Sequence, residues 1–172
     1  MENYICKIAE LDEINRKWDY EISQHPDDNS WVVWKESFIE GVKSGNRICY
    51  YGILDGEIIS EATAMFSADE IQNGDGLVDE ETVYLSAFRT VEKFQGQGYF
   101  SRLYKYMEED LKSRGYKALT LGVEPNEIKN MKIYFNWGFE NYIKTAYETY
   151  PPKDRFSQPQ EIMVNYYSKK IK

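Results

Sequence analysis

The chain has 172 residues, 42% of them hydrophobic and 29% charged, with a formal net charge of −8. That length and apolar share suit a single domain over residues 1–172 with a sizeable core, and they exclude an unfolded polyelectrolyte. The acidic balance disfavours a broad nucleic-acid surface, and neither a membrane-length apolar run nor a basic-then-apolar leader is apparent, so a cytoplasmic protein without nucleic-acid or membrane partners is expected.

Tyr4–Ile8 reads as a first strand and residues 11–22 as a helix, broken by His25-Pro26-Asp27-Asp28. Ser30 can cap a second helix, on which Trp31, Trp34, Phe38 and Val42 recur at helical spacing before Gly45; both tryptophans are expected in the core. Arg47–Leu54 and residues 57–66 flank Asp55-Gly56, a two-residue hairpin signal. In the acidic loop 69–80, Asp69, Asn73, Gly74, Asp75 and Glu80 match part of a calcium-loop pattern. Ile71 replaces an oxygen ligand there and the flanks read as strands, so a flexible loop is expected rather than a metal site.

Thr82–Thr90 is the next strand. After Gln95-Gly96-Gln97-Gly98 a helix starts near Tyr99, with Phe100, Leu103, Met107 and Leu111 on one apolar face and Gly115 as its end. Strand Ala118–Val123, a helix carrying Tyr134, and Gly138-Phe139 opening another strand follow. Pro151-Pro152 and Pro159 mark the long connection to a final strand at 161–168. Cys6 and Cys49 form neither a close pair nor a metal-type cluster, and read as reduced thiols.

The junction before Tyr99 carries the most chemistry. Its glycines let backbone approach a ligand closely, and a helix start offers unpaired amides with roughly half a positive charge. The first turn has Ser101 and Arg102 but no acid, so an external anion such as a phosphate fits. Gly98 is followed by Tyr99 and Phe100 rather than Lys-Ser/Thr, which excludes a P-loop, and the motif's place halfway along the chain argues against a dinucleotide fold.

With these residues in this order, the chain resembles the GCN5-related N-acetyltransferase family over residues 47–168, most strongly over 84–139. Gln95-x-x-Gly98 is similar to the family's Gln/Arg-x-x-Gly-x-Gly/Ala pyrophosphate loop, although Phe100 stands at the last small position. The resemblance implies an α/β fold with a mixed, mostly antiparallel twisted sheet, flanked by helices and splayed at the acetyl-CoA site. It also implies pyrophosphate binding by backbone around Gln95, Gly96, Gln97, Gly98, Tyr99, Phe100 and Ser101, with the pantetheine arm paired to the preceding strand and a backbone N–H near Phe88 or Thr90 polarising the thioester carbonyl. Asn126 or Asn130 could contact the cofactor arm, and Tyr134 would protonate the departing thiolate. The two N-terminal helices would help to wall the acceptor pocket.

The implied activity is direct transfer of an acetyl group from acetyl-CoA, as cosubstrate without a metal, to the primary amine of a small cationic molecule. A peptide or protein amine, or a non-catalytic acyl-CoA-binding module, are the alternatives, and a homodimer is compatible. An alkylammonium group with a pKa of about 10.4 is almost fully charged at neutral pH, so a base must help. His25 lies in a turn and is a poor candidate; Glu81 at the entrance of the Thr82–Thr90 strand is the leading one, with Glu61 and Glu124 as alternatives. A tyrosine phenol such as Tyr134 can serve as the acid.

Overall fold

The computed structural model describes residues 2–152 and 156–172. Strand β1 (Tyr4–Ile8) leads to helices α1 (Leu11–Gln24) and α2 (Ser30–Lys43), and then to the hairpin of β2 (Arg47–Leu54) and β3 (Glu57–Met65). Asp55 and Gly56 both have positive φ, 49° and 89°, as the two central residues of a tight hairpin turn require. Strand β4 (Thr82–Thr90), helix α3 (Tyr99–Ser113), β5 (Ala118–Val123), α4 (Ile128–Asn136), β6 (Asn141–Tyr150) and β7 (Gln160–Lys170) complete the chain. The strands form one sheet in the order β1-β2-β3-β4-β5-β7-β6, antiparallel at every pairing except β4 with β5.

Period-two alternation sorts the core into layers. On β2, Tyr50 faces α3 among Leu103, Met107 and Leu111, while its neighbour Tyr51 faces α1 and α2 with Ile14 and Phe38. The Tyr50 hydroxyl donates to Asp110 at 2.6 Å, so burying that phenol leaves no unpaired polar atom. On β4, Val83 and Leu85 join the α3 layer and Tyr84 turns to the other face, with Val164 and Tyr166 of β7. No helix among the described residues is long and apolar enough to cross a membrane.

Three local expectations need correction. The start of α2 is capped by Asp28, whose carboxylate accepts the Ser30 amide at 3.0 Å, whereas Ser30 itself is buried in the first turn. Trp34 is exposed rather than core: it shares a helix face with Phe38 and Gly41, one and two turns further on, but only those two are covered, while Trp31 is half-buried and stacks on His25 at 4.1 Å. The acidic loop before β4 is tied down. Gln72 exchanges two hydrogen bonds with the Thr149 backbone on β6, at 2.9 and 2.7 Å, while Asn73 donates to the Tyr147 carbonyl at 2.9 Å. Ile71 and Leu77 of the same loop pack under it with Met65 and Tyr84.

Candidate active site

The one parallel pairing in the sheet opens into a cleft. Residues 82–85 of β4 pair with residues 118–121 of β5, after which the strands diverge. The divergence coincides with a bulge in β4: Glu61 opposes Arg89 and Thr63 opposes Ser86, so Ala87 and Phe88 together face the single Ala62. A bulge bends its strand and leaves an extra residue out of the ladder. Ala87 has φ 54°, a conformation costing a non-glycine residue about 1–3 kcal/mol and commonly found where strain serves a site. Thr90 is back in register opposite Ser60; with the next amide, Val91, bonded to the Ile59 carbonyl at 2.8 Å, the backbone groups of Thr90 point away from β3, and its carbonyl accepts from Gln95.

The opening has a volume of about 430 Å³. Both faces of the sheet contribute to its walls: Tyr84 and Val164 come from the layer under the acidic loop, and Leu85, Leu121 and Tyr134 from the α3 layer. Two molecules can therefore meet inside it from opposite faces.

Beside the cleft, α3 begins at Gly98, whose φ of 85° is left-handed, and Gly96 has φ 73°. The Gln95 side chain donates to the Thr90 carbonyl at 3.0 Å and that of Gln97 to the Lys93 carbonyl at 2.9 Å, so both glutamines brace the loop. Among the described residues, no protein acceptor takes the backbone amides of residues 96–101; the first amide to find one is that of Arg102, on Gly98 O at 3.2 Å. Unpaired amides at a helix start are groups to which an anion can bind. Tyr99 is buried with its carbonyl accepting from the Tyr4 hydroxyl at 2.9 Å, whereas Ser101 is exposed. The Phe100 ring lies 5.0 Å from that of Phe88, so the residue at the last position of the loop motif packs toward the cleft wall.

Tyr134 sits on α4 with its ring 5.9 Å from Phe88 and 6.5 Å from Phe139. Burial, then the nearby Glu127 carboxylate, push its phenol up to about 12, so it holds its proton at any physiological pH. Its hydroxyl has no hydrogen-bond partner among the described residues, and the residue lines the cleft. Asn130 also lines the cleft and donates to Glu127 at 3.0 Å; Asn126 is exposed and outside the lining.

The carboxylates divide clearly. Glu81 is exposed, ion-paired with Lys117 at the far end of β4, and does not line the cleft. Glu61 is engaged by Lys17 at 3.2 Å and Arg89 at 3.4 Å, also outside it. His25 is held away against Trp31, its Nδ1 2.8 Å from the Glu21 carbonyl. Glu124 does line the cleft, joined by three acids that the sequence did not single out: Glu70, Glu127 and Glu148. Only long-range strand order brings Glu148 there, and no local motif announces it.

The family model described as Acetyltransferase (GNAT) family matches residues 8–139. No curated protein matches the chain. Among solved structures, an N-acetyltransferase from Staphylococcus aureus Mu50 is 14% identical and superposes with a TM-score of 0.66, covering 99% of both chains. The ribosomal-protein-S18-alanine N-acetyltransferase from Escherichia coli is 14% identical at TM-score 0.67, covering 98% of this chain and 94% of its own. A GNAT family acetyltransferase from Elizabethkingia anophelis with acetyl-CoA bound is 20% identical at TM-score 0.57, covering 74% of this chain and 78% of its own.

Proposed function

Because the chain belongs to the acetyltransferase (GNAT) family, we propose that it transfers an acetyl group from acetyl-CoA to the primary amine of a small, cationic molecule by direct attack in a ternary complex. The observation that carries this reading is the cleft at the splay of β4 and β5, lined from both faces of the sheet, with the bulge at Ala87 and Phe88 and the Tyr134 side chain on its walls.

The unpaired amides at the start of α3 would hold the diphosphate of the donor, and the glycines there let it approach without a Cβ in the way. The pantetheine arm would run along the β4 edge exposed by the splay, bringing the thioester to the bulge. Backbone N–H at Ala87 or Phe88 would polarise the carbonyl as negative charge develops on its oxygen. As the amine nitrogen bonds to the carbonyl carbon and the C–S bond breaks, the Tyr134 phenol would give its proton to the leaving thiolate, and the protons the nitrogen sheds would pass to a base, for which Glu124 is the candidate that lines the cleft, and on to solvent. Burial raises a thiol's pKa as it raises a phenol's, so donor and leaving group stay matched inside the cleft. Holding both reactants on two faces of one opening supplies proximity without a covalent enzyme intermediate.

A peptide amine is the second reading, favoured by the likeness in fold to the ribosomal-protein acetyltransferase. The test is coenzyme A release from acetyl-CoA with a panel of small amines and short peptides. Transfer to small cationic amines supports the proposal, and transfer to peptides alone replaces it with the second reading. Tight acetyl-CoA binding without transfer to any amine would instead make the domain an acyl-CoA-binding module.

A further inference from the structure

Glu148 lies on β6, at the edge of the sheet, opposite Ile162 of β7, yet it lines the cleft. One carboxylate oxygen accepts the Tyr166 hydroxyl at 2.7 Å, and the other accepts the Tyr150 hydroxyl at 2.9 Å. Two phenols therefore fix its orientation, while each oxygen keeps a further lone pair. The cations that could neutralise it are engaged elsewhere: Arg47 in the cleft wall pairs with Glu70 at 2.9 Å, and Lys144 on β6 donates to the Asn73 and Asp75 carbonyls at 2.5 Å each. No ion pair to Glu148 occurs among the described residues.

Tyr84 supplies an independent sign of a ligand. It is only 8% exposed, yet its hydroxyl has no hydrogen-bond partner among the described residues. Buried phenols normally find one. No unpartnered side-chain polar atom is sealed off from solvent in the described structure, so this hydroxyl opens into the cleft that the residue lines. Burial first, and then the Glu148 carboxylate, hold its phenol well above the usual tyrosine range, so it stays protonated.

The backbone makes room for this arrangement at Gly122 on β5, the partner of Tyr166 in the sheet. A Cβ there would lie 2.7 Å from Val164 Cγ1 and 3.0 Å from Tyr166 Cε1. Glycine at 122 thus lets the Tyr166 ring lie where its hydroxyl meets Glu148.

We propose that Glu148, held by Tyr150 and Tyr166 and sharing the cleft with the unpartnered hydroxyl of Tyr84, is the acceptor-recognition carboxylate and binds an aliphatic ammonium group of the substrate. The inference rests on the reading of the cleft as an acetyl-transfer site and deepens it. An ammonium group presents three rotatable donors, which can take one Glu148 oxygen and the Tyr84 oxygen together, and the tyrosine rings add favourable π faces. Glu148 lies in the layer away from α3, so the acceptor enters from the face opposite the cradle.

The test titrates 1,4-diaminobutane, glucosamine and alanine amide calorimetrically into the coenzyme A-saturated protein, and measures acetyl transfer from acetyl-CoA to each. At least one amine binds the wild type. Glu148→Gln, which keeps the shape, one acceptor oxygen for a phenol and an amide that can donate to the other phenol's oxygen, weakens that binding by about 10- to 100-fold, the range for a lost charge-assisted hydrogen bond. Acetyl-CoA affinity is unchanged, and in turnover the KM for the amine rises more than kcat falls. Tyr84→Phe removes a hydroxyl with no protein partner and cannot unseat the fold; it weakens the same amine by roughly fivefold. Unchanged amine affinity in Glu148→Gln, or no binding of any of the three amines to the wild type, overturns the proposal. Glu148-dependent binding without acetyl transfer overturns the transferase reading and leaves the ammonium site standing.

Discussion

Replacing Gly98 with valine tests the anion cradle at the residue on which its geometry turns. Gly98 has φ 85° and ψ −1°, and a Cβ built there meets no heavy atom within 4 Å. The cost of a side chain is therefore conformational and owes nothing to crowding by the protein. Left-handed backbone costs an ordinary L-residue about 1–2 kcal/mol, with β-branched residues at the unfavourable end. At roughly 2–4 °C per kcal/mol for a domain of this size, valine should lower Tm by about 2–8 °C if the loop keeps its shape. If the loop instead relaxes out of the left-handed region, the stability loss shrinks but the amides of residues 99–101 are re-aimed, and acetyl-CoA affinity falls by about tenfold or more through lost charge-assisted hydrogen bonds. Gly98→Asn, which tolerates this conformation, should keep most of both properties. Melting curves and calorimetric titration of acetyl-CoA separate the two routes. An unchanged dissociation constant together with an unchanged Tm in the Gly98→Val protein would refute the assignment of this loop as the diphosphate cradle.

Tyr134→Phe keeps the ring against Phe88 and should leave acetyl-CoA affinity and Tm unchanged while kcat falls on the order of 10²-fold; wild-type turnover, measured where chemistry limits the rate, would remove the phenol from the mechanism. Because the Tyr134 phenol is pushed up to about 12, its protonated form persists well above the usual tyrosine range, so kcat between pH 8 and 10 should show no decline from its ionisation; a decline in that window that disappears in the phenylalanine variant would contradict the burial argument. Glu81→Gln removes an exposed ion pair with Lys117 outside the cleft, and turnover should stay within about twofold of wild type; a large loss of kcat would restore Glu81 as the base. Gly122→Ala puts a methyl against Val164 and Tyr166, and should destabilise the fold by about 1–3 kcal/mol as overpacking does; an unaltered denaturation midpoint would show that β7 yields without cost.

Local chemistry determined much of this protein before any tertiary contact was considered. The Asp55-Gly56 turn, the apolar stripe of α3 and the left-handed Gly98 all follow from preferences within a few residues: positive φ for glycine, helical spacing, and amides left unpaired at a helix start. The glycine-bearing loop, the strand before it and Tyr134 after it could be ordered along the chain, and the family followed from that order.

What the chain could not disclose locally depends on strand order and register. Glu81 looked suited to act as a base because it opens β4, but the parallel pairing with β5 begins right there, so the strand end lies away from the splay and Lys117 takes the carboxylate. Trp34 matched the helical stripe, yet how far along α2 that stripe is covered was decided by packing, which buries Phe38 and Gly41 and leaves Trp34 exposed. The bulge at Ala87 and Phe88 exists only relative to β3, since a bulge is a mismatch of count between two strands. Glu148 stands more than sixty residues from Tyr84 in sequence and gave no local sign of function. It reaches the cleft because β7 inserts between β5 and β6, carrying Tyr166 to orient it, and because Gly122 leaves space for that ring. A carboxylate's role is set by which charges and hydroxyls surround it, and those neighbours are chosen by the sheet.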